Sequence, residues 1–408
     1  MTIYPDSHDS GSFRRNPLRV LHVGSFSGNI GDNASHVGTH RLLREALGVE
    51  IDFEFLEIRR TYRNYVGPDR WSFDESFLAL VNEFDLTLIG GGNYFELWLE
   101  DSATGTTIDL DPRMLERLKR PLVFNALGCD PYKGSSPSTV ERFYKFLEVA
   151  TSHPLIALSV RNDGSLKSIS QMFGESMARK VANIPDPGFF VEALSGQSET
   201  MGIEGDHWIV NLASDMPELR FPSGTRSGDR SSYESFVASV AELLAGQMDI
   251  HTEVDLIFMP HIFSDLSVVA DVLDHLPDPL RRNRVSVAPY ATGEKAARTA
   301  FGLYESASLV LGMRFHANVC PIGMGVPTIG LASYRKLADV YEELGLESRC
   351  VWTHDSTFPE AVAELIYSTG SDEAALRTRY ASIGRDLLET ATGFYQNLRP
   401  LIEQGGIG

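Results

Sequence analysis

An arginine and a histidine lie two residues apart in the segment LVLGMRFHANVCPIGMGVPTIGLA, residues 309–332. Residues 309–312 form a short apolar run and residues 315–323 follow a helical pattern, so Arg314 and His316 fall where a buried strand gives way to a helix. Parallel sheets bind ligands at such carboxyl ends, and a helix N-terminus beside a guanidinium favours carboxylate or phosphate. The segment predicts an anion site, although a structural ion pair and a packed histidine would explain the same residues.

Further charged side chains follow other predicted strands. Arg161 lies in SVRNDGS, and His261 and Asp265 lie in MPHIFSD. We expect Arg161 to occupy the position in a first sheet that Arg314 occupies in a second, so that two arginines facing one cleft share the charge of a trianionic ligand. Asp265 could orient His261 or bind a hydroxyl. The alternatives are a solvated boundary charge for Arg161 and an N-cap for Asp265.

The first predicted strand leads into a glycine-rich junction, GSFSGNIGDNASHVG, at residues 24–38. Its spacing matches neither the dinucleotide fingerprint nor the phosphate-binding P-loop. Asn29 and Asp32 could bind a polyol or cap the following helix, and the sequence favours neither role. His36 and His40 share a face of that helix as metal ligands can, but no third ligand is apparent. No metal and no nucleotide cofactor is therefore expected.

Three successive glycines end the third predicted strand, in LIGGGNYFELW at residues 88–98. The lack of side-chain bulk would let a substrate pass over the backbone, with Asn93, Glu96 and Trp98 nearby to contact a sugar. A tight turn is the alternative, but one glycine would satisfy it.

Composition excludes several classes of protein. The chain has 408 residues, more than one core usually supports, so two domains are expected. Its formal net charge of −19 argues against nucleic-acid binding and against docking on anionic lipid. The three cysteines are far apart, which suits a reducing compartment and excludes a cysteine-based zinc motif. Neither a signal peptide nor a transmembrane segment is apparent, so we expect a cytoplasmic protein.

Apolar runs alternate with amphipathic segments along most of the chain, which is typical of parallel strands joined by crossover helices. The first series of predicted strands comprises residues 19–24, 52–57, 86–90, 122–126, 155–160 and 181–184. The second series comprises residues 208–213, 254–259, 284–288, 309–312, 328–331 and 350–352. The fold class predicted is α/β with mainly parallel sheets.

The pattern also predicts the domain organisation. A disordered tail at residues 1–16 precedes a Rossmann-like domain at residues 17–195. A linker rich in serine, glycine and glutamate follows at residues 196–206. The second Rossmann-like domain, which carries the anion site, covers residues 207–372. A last helical segment lies within residues 373–408, and family analogy suggests that it crosses back to the first domain.

Six segments, in this order, resemble the polysaccharide pyruvyl transferase family over about residues 20–346: GNIGDN (28–33), LIGGGNYF (88–95), SVRNDGS (159–165), IPDPGFF (184–190), MPHIFSD (259–265) and GMRFHANVCPIGMGVPTIGL (312–331). Lys336 stands where the family commonly has a lysine. The chain departs from the family pattern at Phe315, where an aliphatic residue is usual, and at residues 318–321, which interrupt an apolar helix.

The resemblance implies two Rossmann-like domains in a GT-B-like arrangement. It also implies transfer of pyruvate from phosphoenolpyruvate onto two hydroxyls of a sugar in a glycan or its precursor, in polysaccharide or exopolysaccharide biosynthesis, and it leaves open whether the acceptor is lipid-linked. Together with the residue chemistry above, it assigns donor binding to Arg161, Arg314, His316 and Lys336. The expected catalytic residues are His316, Arg314, His261 and Asp32, and the expected acceptor ligands are Asn29, Asn93, Glu96 and Asp265.

Two other functions are compatible with the same architecture. One is a GT-B-type glycosyltransferase that uses a nucleotide sugar. The other is a non-catalytic relative that binds a glycan or an anion.

Overall fold

The computed structural model describes residues 17–197, 205–221 and 232–406. The expected disordered tail at residues 1–16 and most of the expected linker at residues 196–206 lie outside the described residues.

The first half of the chain builds a parallel sheet of six strands. These are β1 (Leu18–Gly24), β2 (Ile51–Glu57), β3 (Leu86–Gly90), β5 (Leu122–Leu127), β7 (Ile156–Arg161) and β8 (Ala182–Ile184), in the order β2-β1-β3-β5-β7-β8. Two short strands, β4 (Phe95–Glu96) and β6 (Cys129–Asp130), pair in parallel beside it. Strands β3 and β5 are buried along their whole length. Continuous apolar runs are what a sheet covered on both faces requires.

Helices connect these strands. They are α1 (Ile30–Leu47), α2 (Glu75–Val81), α3 (Pro112–Leu115), α4 (Pro137–Ala150), α5 (Ser165–Phe173) and α6 (Glu175–Ala178), with 3₁₀ turns at Ile58–Thr61 and Pro187–Phe190. Asn29 caps α1, because its side-chain oxygen accepts a hydrogen bond from the backbone N–H of Gly31 at 2.9 Å. The cap fixes the start of α1 at the carboxyl end of β1.

The second half builds another parallel sheet of six strands. These are β9 (Asp206–Asn211), β10 (Val254–Phe258), β11 (Val285–Val287), β12 (Leu309–Gly312), β13 (Thr328–Ala332) and β14 (Cys350–Trp352), in the order β11-β10-β9-β12-β13-β14. The prediction of mainly parallel α/β structure is therefore confirmed. Each of the twelve predicted strands overlaps an observed one.

The helices of the second half surround this sheet. They are α7 (Pro217–Arg220), α8 (Tyr233–Ile250), α9 (Asp265–His275), α10 (Asp278–Asn283), α11 (Glu294–Ser306), α12 (His316–Gly323), α13 (Arg335–Glu343), α14 (Phe358–Gln396) and α15 (Leu398–Gln404), with a 3₁₀ turn at Glu347–Arg349. None of the described helices combines the length and the apolar content needed to cross a membrane.

The two sheets differ in topology, and this corrects one expectation. In the second sheet the chain leaves β9 towards β10 and β11, then returns so that β12 pairs with the other side of β9. Ligands of open α/β sheets bind outside such a switch point, and Arg314 directly follows Met313, which extends β12 there. Arg161 ends β7, the fifth strand across the first sheet, whereas β12 is the fourth across the second. The two arginines therefore do not occupy equivalent positions.

The two halves share an apolar core. Val37 of α1, Phe189 of the 3₁₀ turn, Cys320 of α12 and Tyr395 of α14 belong to one buried cluster. Helix α14 bends at Asp372, whose φ of −124° and ψ of 19° are not helical. After the bend, the hydroxyl of Tyr395 donates a hydrogen bond at 2.9 Å to the side-chain oxygen of Asn125 in β5. The last helical segment thus contacts the first sheet.

Candidate functional site

A cleft of about 190 Å³ lies between the two halves, at the carboxyl ends of both sheets. Its walls come from both halves of the chain. The lining residues are Asn29, Asp32, Asn93, Arg161, Met216, Arg220, His261, Met313, Arg314, Phe315, His316, Tyr334, Lys336 and Leu337. The cleft therefore brings together eight of the ten residues that the sequence analysis assigned to catalysis, donor binding or acceptor binding, and the two that do not line it are Glu96 and Asp265.

Two asparagines hold the turn that carries Arg314. The backbone N–H of Arg314 donates to the side-chain oxygen of Asn211, at the end of β9, at 2.9 Å. The side-chain amide of Asn318 donates to the carbonyls of Gly312 at 2.9 Å and of Arg314 at 2.7 Å. Tyr341 in turn donates to the oxygen of the Asn318 side chain at 2.8 Å. Asn318, one of the residues that interrupt the apolar helix in the sequence, therefore holds the strand-to-helix turn in place.

Carboxylates hold the side chain of Arg314. Its Nε donates to Oδ2 of Asp265 at 2.7 Å, and its Nη2 donates to Oδ1 of Asp215 at 2.8 Å. Arg220 also pairs with Asp215, at 3.2 Å. Burial opposes the ionisation of Asp215, but Arg314 and Arg220 hold its pKa below the usual range. Nη1 of Arg314 makes no hydrogen bond to a described residue, so it is the nitrogen left for a ligand.

A second group of cations comes from opposite halves of the chain. Arg161 donates from Nε to Oδ2 of Asp163 at 2.7 Å, and the Nζ of Lys336 lies 3.1 Å from the same oxygen. Lys336 also donates to the side-chain oxygen of Asn93. A Cβ added to Gly128 would lie 2.7 Å from Nζ of Lys336 and 3.1 Å from Nη2 of Arg161. The absence of a side chain at Gly128 gives these cations their space.

Aromatic contact supports Arg161 from the second half. The guanidinium carbon lies 4.2 Å from the ring centroid of Phe315, within the range of a cation–π interaction. Nη1 of Arg161 donates to Oδ2 of Asp186 at 3.1 Å. Phe315, which departs from the family pattern in the sequence, therefore packs against a predicted donor-binding residue.

His316 begins α12 and faces Asp186. Its Nε2 lies 3.4 Å from Oδ1 of Asp186. Burial opposes the ionisation of Asp186, but His316 and Arg161 hold its pKa well below the usual range. A Cβ on Gly31 would lie 2.6 Å from Nδ1 of His316, so the first turn of α1 closes over the imidazole. These contacts fix the ring at the wall of the cleft.

His261 is buried more deeply than His316. Its ring Nε2 lies 2.7 Å from the hydroxyl of Tyr304. Burial lowers the pKa of His261 well below its ordinary value, and the nearby Arg314 and His316 lower it further. The imidazole is therefore neutral at pH 7.

Asn29 and Asp32 reach the cleft from α1. Asn29 caps that helix and also lines the cleft, so its capping role is confirmed and its role in binding a polyol stays a prediction. Asp32 lies in the first turn, 3.4 Å from Nη2 of Arg59. A carboxylate in this place could accept a hydrogen bond from a ligand hydroxyl.

Asp265 and Glu96 lie behind the walls of the cleft. Asp265 is fully buried, and besides Arg314 it accepts hydrogen bonds from the backbone N–H groups of His261 at 2.9 Å and Ile262 at 3.1 Å. Glu96 accepts from the side-chain amide of Asn93 at 2.6 Å. Both carboxylates thus contact residues of the lining and hold them in place.

The three successive glycines lie away from the lining. A Cβ would be 2.3 Å from the carbonyl oxygen of Asn125 at Gly90, 2.5 Å from the His36 ring at Gly91 and 2.4 Å from the Tyr94 ring at Gly92. Gly91 also has a φ of +79°, which L side chains rarely adopt. Packing within the first half, rather than passage of a substrate, occupies the space that these glycines leave.

Three histidines pack together behind β1. His40 Nε2 lies 2.8 Å from Nδ1 of His22, and His36 Nε2 lies 3.0 Å from the carbonyl oxygen of Ser25. Burial lowers the pKa of all three, to about 4 for His36 and about 3 for His40. Within the described parts of the chain, no three His, Cys, Asp or Glu side chains are placed to hold a metal ion.

This histidine cluster predicts acid sensitivity. The folded-state pKa values lie below the unfolded value of about 6.5, so the unfolded chain takes up protons first as the pH falls. The cluster's contribution to stability is therefore present above pH 6.5 and is lost as the pH falls towards 4. We expect calorimetry to give a lower Tm at pH 4.5 than at pH 7.5, and a shallower fall in the His40→Phe protein. The exposed His275→Gln control should keep the wild-type slope, and a pH-independent Tm would contradict the prediction.

Of the carboxylates that pair with the site cations, the sequence singled out Asp265 but not Asp163, Asp186 or Asp215. Asp186 lies between two prolines in IPDPGFF, which is typical of a turn. One signal was available for Asp163, which lies two residues after Arg161 and again at the end of β7. For Asp215 there was none, because its partner Arg314 lies 99 residues away.

Comparisons with solved structures show the fold. A putative UDP-N-acetylglucosamine 2-epimerase from Listeria monocytogenes has a TM-score of 0.54 at 11% identity, over 90% of this chain and 91% of that one. The UDP-GlcNAc 2-epimerase of Neisseria meningitidis, bound to UDP-GlcNAc, has a TM-score of 0.53 at 10% identity, over 94% and 100%. MnaA of S. aureus, solved with UDP, has a TM-score of 0.52 at 11% identity, over 89% of this chain and 90% of that one. The GT-B-like fold that the resemblance implied is confirmed.

Sequence comparison identifies the family. A search of curated proteins found no match. The model of the polysaccharide pyruvyl transferase family matches residues 29–334, which include every residue of the cleft lining except Lys336 and Leu337. The chain therefore belongs to the polysaccharide pyruvyl transferase family.

Proposed function

We propose that this protein transfers pyruvate from phosphoenolpyruvate to two hydroxyls of a sugar in a glycan or glycan precursor, forming a cyclic ketal and releasing phosphate. Family membership already indicates a transferase with a sugar or glycan acceptor. One observation supports the finer assignment most strongly: Arg161, Arg314 and Lys336 line one cleft together with His316. Phosphoenolpyruvate carries a carboxylate and a phosphate, and this set offers donors for both.

The cations of the cleft bind the donor by contact rather than by net charge. Buried carboxylates neutralise Arg161, Arg314 and Lys336, and the whole chain carries a net charge of −19. Long-range attraction of a trianion is therefore weak. Each charge-assisted hydrogen bond in a desolvated cleft contributes about 1.5–3 kcal/mol, and the carboxylates keep the donors in fixed orientations.

His316 supplies the proton in the proposed reaction. It protonates the methylene carbon of phosphoenolpyruvate, so that the central carbon becomes cationic and a sugar hydroxyl attacks it. Asp32 accepts the proton of that hydroxyl. A second hydroxyl of the same sugar then forms the second C–O bond of the ketal as the bond from that carbon to the phosphate oxygen breaks, and phosphate leaves with the proton of this hydroxyl. Asp32 loses its proton to solvent and His316 regains one, so both residues return to their starting states. His261, which the sequence also predicted as a catalytic residue, is neutral at pH 7, so it holds the hydroxyl of Tyr304 instead of donating a proton.

Mass spectrometry tests the function directly. Candidate glycans are incubated with the protein and phosphoenolpyruvate, and the products are searched for the mass added by one pyruvate ketal, with phosphate release measured in parallel. The reaction uses phosphoenolpyruvate as a co-substrate and no cofactor. Because the structural neighbours include proteins bound to UDP and UDP-GlcNAc, calorimetry with UDP-sugars is the matched comparison. Tight UDP binding without phosphoenolpyruvate binding would overturn the proposal.

Gly128→Ala is expected to damage donor binding while leaving the fold intact. The new methyl group would lie 2.3 Å from the side-chain oxygen of Asn93 and 2.7 Å from Nζ of Lys336. Both atoms end movable side chains, so they can shift without displacing the backbone. We expect calorimetry to give a Kd for phosphoenolpyruvate at least about tenfold higher, the cost of one good hydrogen bond. An unchanged Kd would contradict the role of Lys336, and a large fall in Tm would show that the fold, not the site, was changed.

A further inference from the structure

We propose that Trp98 forms a second sugar subsite, so that the acceptor is a glycan of at least two linked sugar units. One unit lies in the cleft at Asn93, and its neighbour stacks on the indole of Trp98. This inference rests on the proposed function and specifies the acceptor of the same site. Trp98 lies outside the lining of the cleft, and its side chain is 49% exposed.

A chain of hydrogen bonds connects the cleft to this indole. Lys336 donates to the oxygen of the Asn93 side chain, whose amide donates to Oε1 of Glu96 at 2.6 Å. The other oxygen of Glu96 accepts from Nε1 of Trp98 at 3.1 Å. A single carboxylate therefore connects the cleft residue to the indole. Lys133 also donates to Glu96, so an ammonium group lies at the same carboxylate.

The exposed indole is held in a fixed place. Exposed aromatic side chains are common and by themselves indicate nothing. Here, however, the backbone N–H of Leu97 donates to Asp130 at 3.2 Å, the carbonyl of Leu97 accepts from Thr139 at 2.9 Å, and the N–H of Leu99 donates to Gly105 at 3.2 Å. With Nε1 bound to Glu96, ring and backbone are both fixed before any ligand arrives. A preordered surface loses little entropy on binding.

The loop that follows Trp98 is rigid as well. The hydroxyls of Ser102, Thr104 and Thr106 are buried and bonded in series, at 3.2 Å and 2.8 Å. Thr104 also donates to the carbonyl of Ile108 at 2.6 Å. These bonds leave the indole exposed on a supported backbone rather than on a loose loop.

A second exposed aromatic side chain follows the short strand that pairs with β4. Tyr132 follows β6, which pairs with β4, and it is 45% exposed. The guanidinium of Arg335 lies 4.9 Å from its ring centroid, so this tyrosine is supported from the second half. Flat aromatic faces beside carboxylate, amide and ammonium groups match a sugar, which has an apolar C–H face and a rim of hydroxyls.

Binding to a glycan array tests the subsite. Labelled wild-type protein, Trp98→Ala, Trp98→Phe and Tyr367→Ala are applied, with phosphoenolpyruvate, to arrayed monosaccharides and oligosaccharides. Tyr367 is 82% exposed and is not among the residues that line the cleft, so its replacement is the matched control. We expect Trp98→Ala to bind the selected oligosaccharides roughly tenfold more weakly, the loss of one stacked ring. Trp98→Phe should stay within about threefold of wild type, and Tyr367→Ala should be unchanged.

Several outcomes would overturn the subsite. They are equal binding by Trp98→Ala and wild type, wild-type binding to monosaccharides as strong as to oligosaccharides, and no binding of any arrayed glycan by the wild type. Calorimetry with phosphoenolpyruvate on the same proteins separates this inference from the proposed function. Trp98-dependent glycan binding without phosphoenolpyruvate binding would contradict the reaction alone, and the reverse would contradict the subsite alone. An unchanged Tm of Trp98→Ala excludes unfolding as the cause.

Discussion

We expect the Arg314→Ala protein to lose pyruvyl transfer from phosphoenolpyruvate by roughly 10³-fold, the scale on which one donor to a developing anion acts. Nη1 of Arg314 has no partner among the described residues, while Asp265 and Asp215 hold the rest of the guanidinium. The alanine variant also leaves the buried Asp265 without its cation, which costs about 3–5 kcal/mol of stability. The rate of phosphate release must therefore be compared with the Tm of the same protein.

Arg314→Lys separates chemistry from folding. Lysine keeps the positive charge near Asp265, but its single ammonium cannot replace a planar fork that binds two carboxylates and a ligand at once. We expect a Tm above that of Arg314→Ala, because the charge beside Asp265 is kept, and a transfer rate still about 10²-fold below wild type. Arg281→Lys, at an exposed pair with Asp278, is the matched control and should keep full activity. Full activity in Arg314→Lys would disprove the assigned role.

Gly38→Ala is expected to destabilise the protein by about 3 kcal/mol or more, the upper range for an overpacked core. The added methyl group would lie 1.8 Å from the carbonyl oxygen of Pro187. That oxygen belongs to the backbone and cannot rotate away, so helix α1 and the 3₁₀ turn Pro187–Phe190 must separate. Because Asp186 directly precedes this turn and contacts His316, the separation should also reduce transfer.

A second glycine provides the control for this prediction. Gly246 lies in helix α8, and a Cβ there would meet nothing within 4 Å. Gly246→Ala should therefore stabilise the protein, by about 0.5–1 kcal/mol, because alanine restricts the unfolded chain and favours the helix. Denaturant unfolding measures both changes. Equal stabilities of Gly38→Ala and wild type would show that the two segments can move apart without cost.

The sequence was sufficient to predict the sheets because their central strands are buried on both faces. Such strands appear as unbroken apolar runs with polar ends, and the runs at residues 86–90 and 309–312 coincide with the observed strands. The order of the strands within each sheet could not be predicted in this way. The first sheet places β1 between β2 and β3, whereas the second places β9 between β10 and β12. Apolar periodicity carries no information on that order, so the expected equivalence of Arg161 and Arg314 was wrong.

The sequence also indicated which residues lie at the carboxyl ends of strands, because glycines and charges interrupt the apolar runs there. It could not indicate how these residues pair. Lys336 and Asp163 are 173 residues apart, and Arg314 and Asp265 are 49 residues apart. Such contacts arise only when the two sheets meet. No local feature of the sequence indicates that Asp265 is fully buried. The sequence therefore could not show that this residue supports the wall of the cleft instead of lining it.

The bond of Lys336 to Asn93 and Asp163 constrains how relatives of this chain can be recombined. Each half contains a whole sheet and is the obvious unit to exchange, although the two halves share an apolar core. In a chimaera, however, the ammonium of Lys336 would come from one parent, and the side-chain oxygens of Asn93 and Asp163 that orient it would come from the other. A chimaera made to transplant acceptor preference with residues 17–197 must therefore carry Asn93, Gly128 and Asp163 as a matched set for the incoming α13. The contacts between the two halves, more than the packing within either sheet, would therefore decide which hybrids are active.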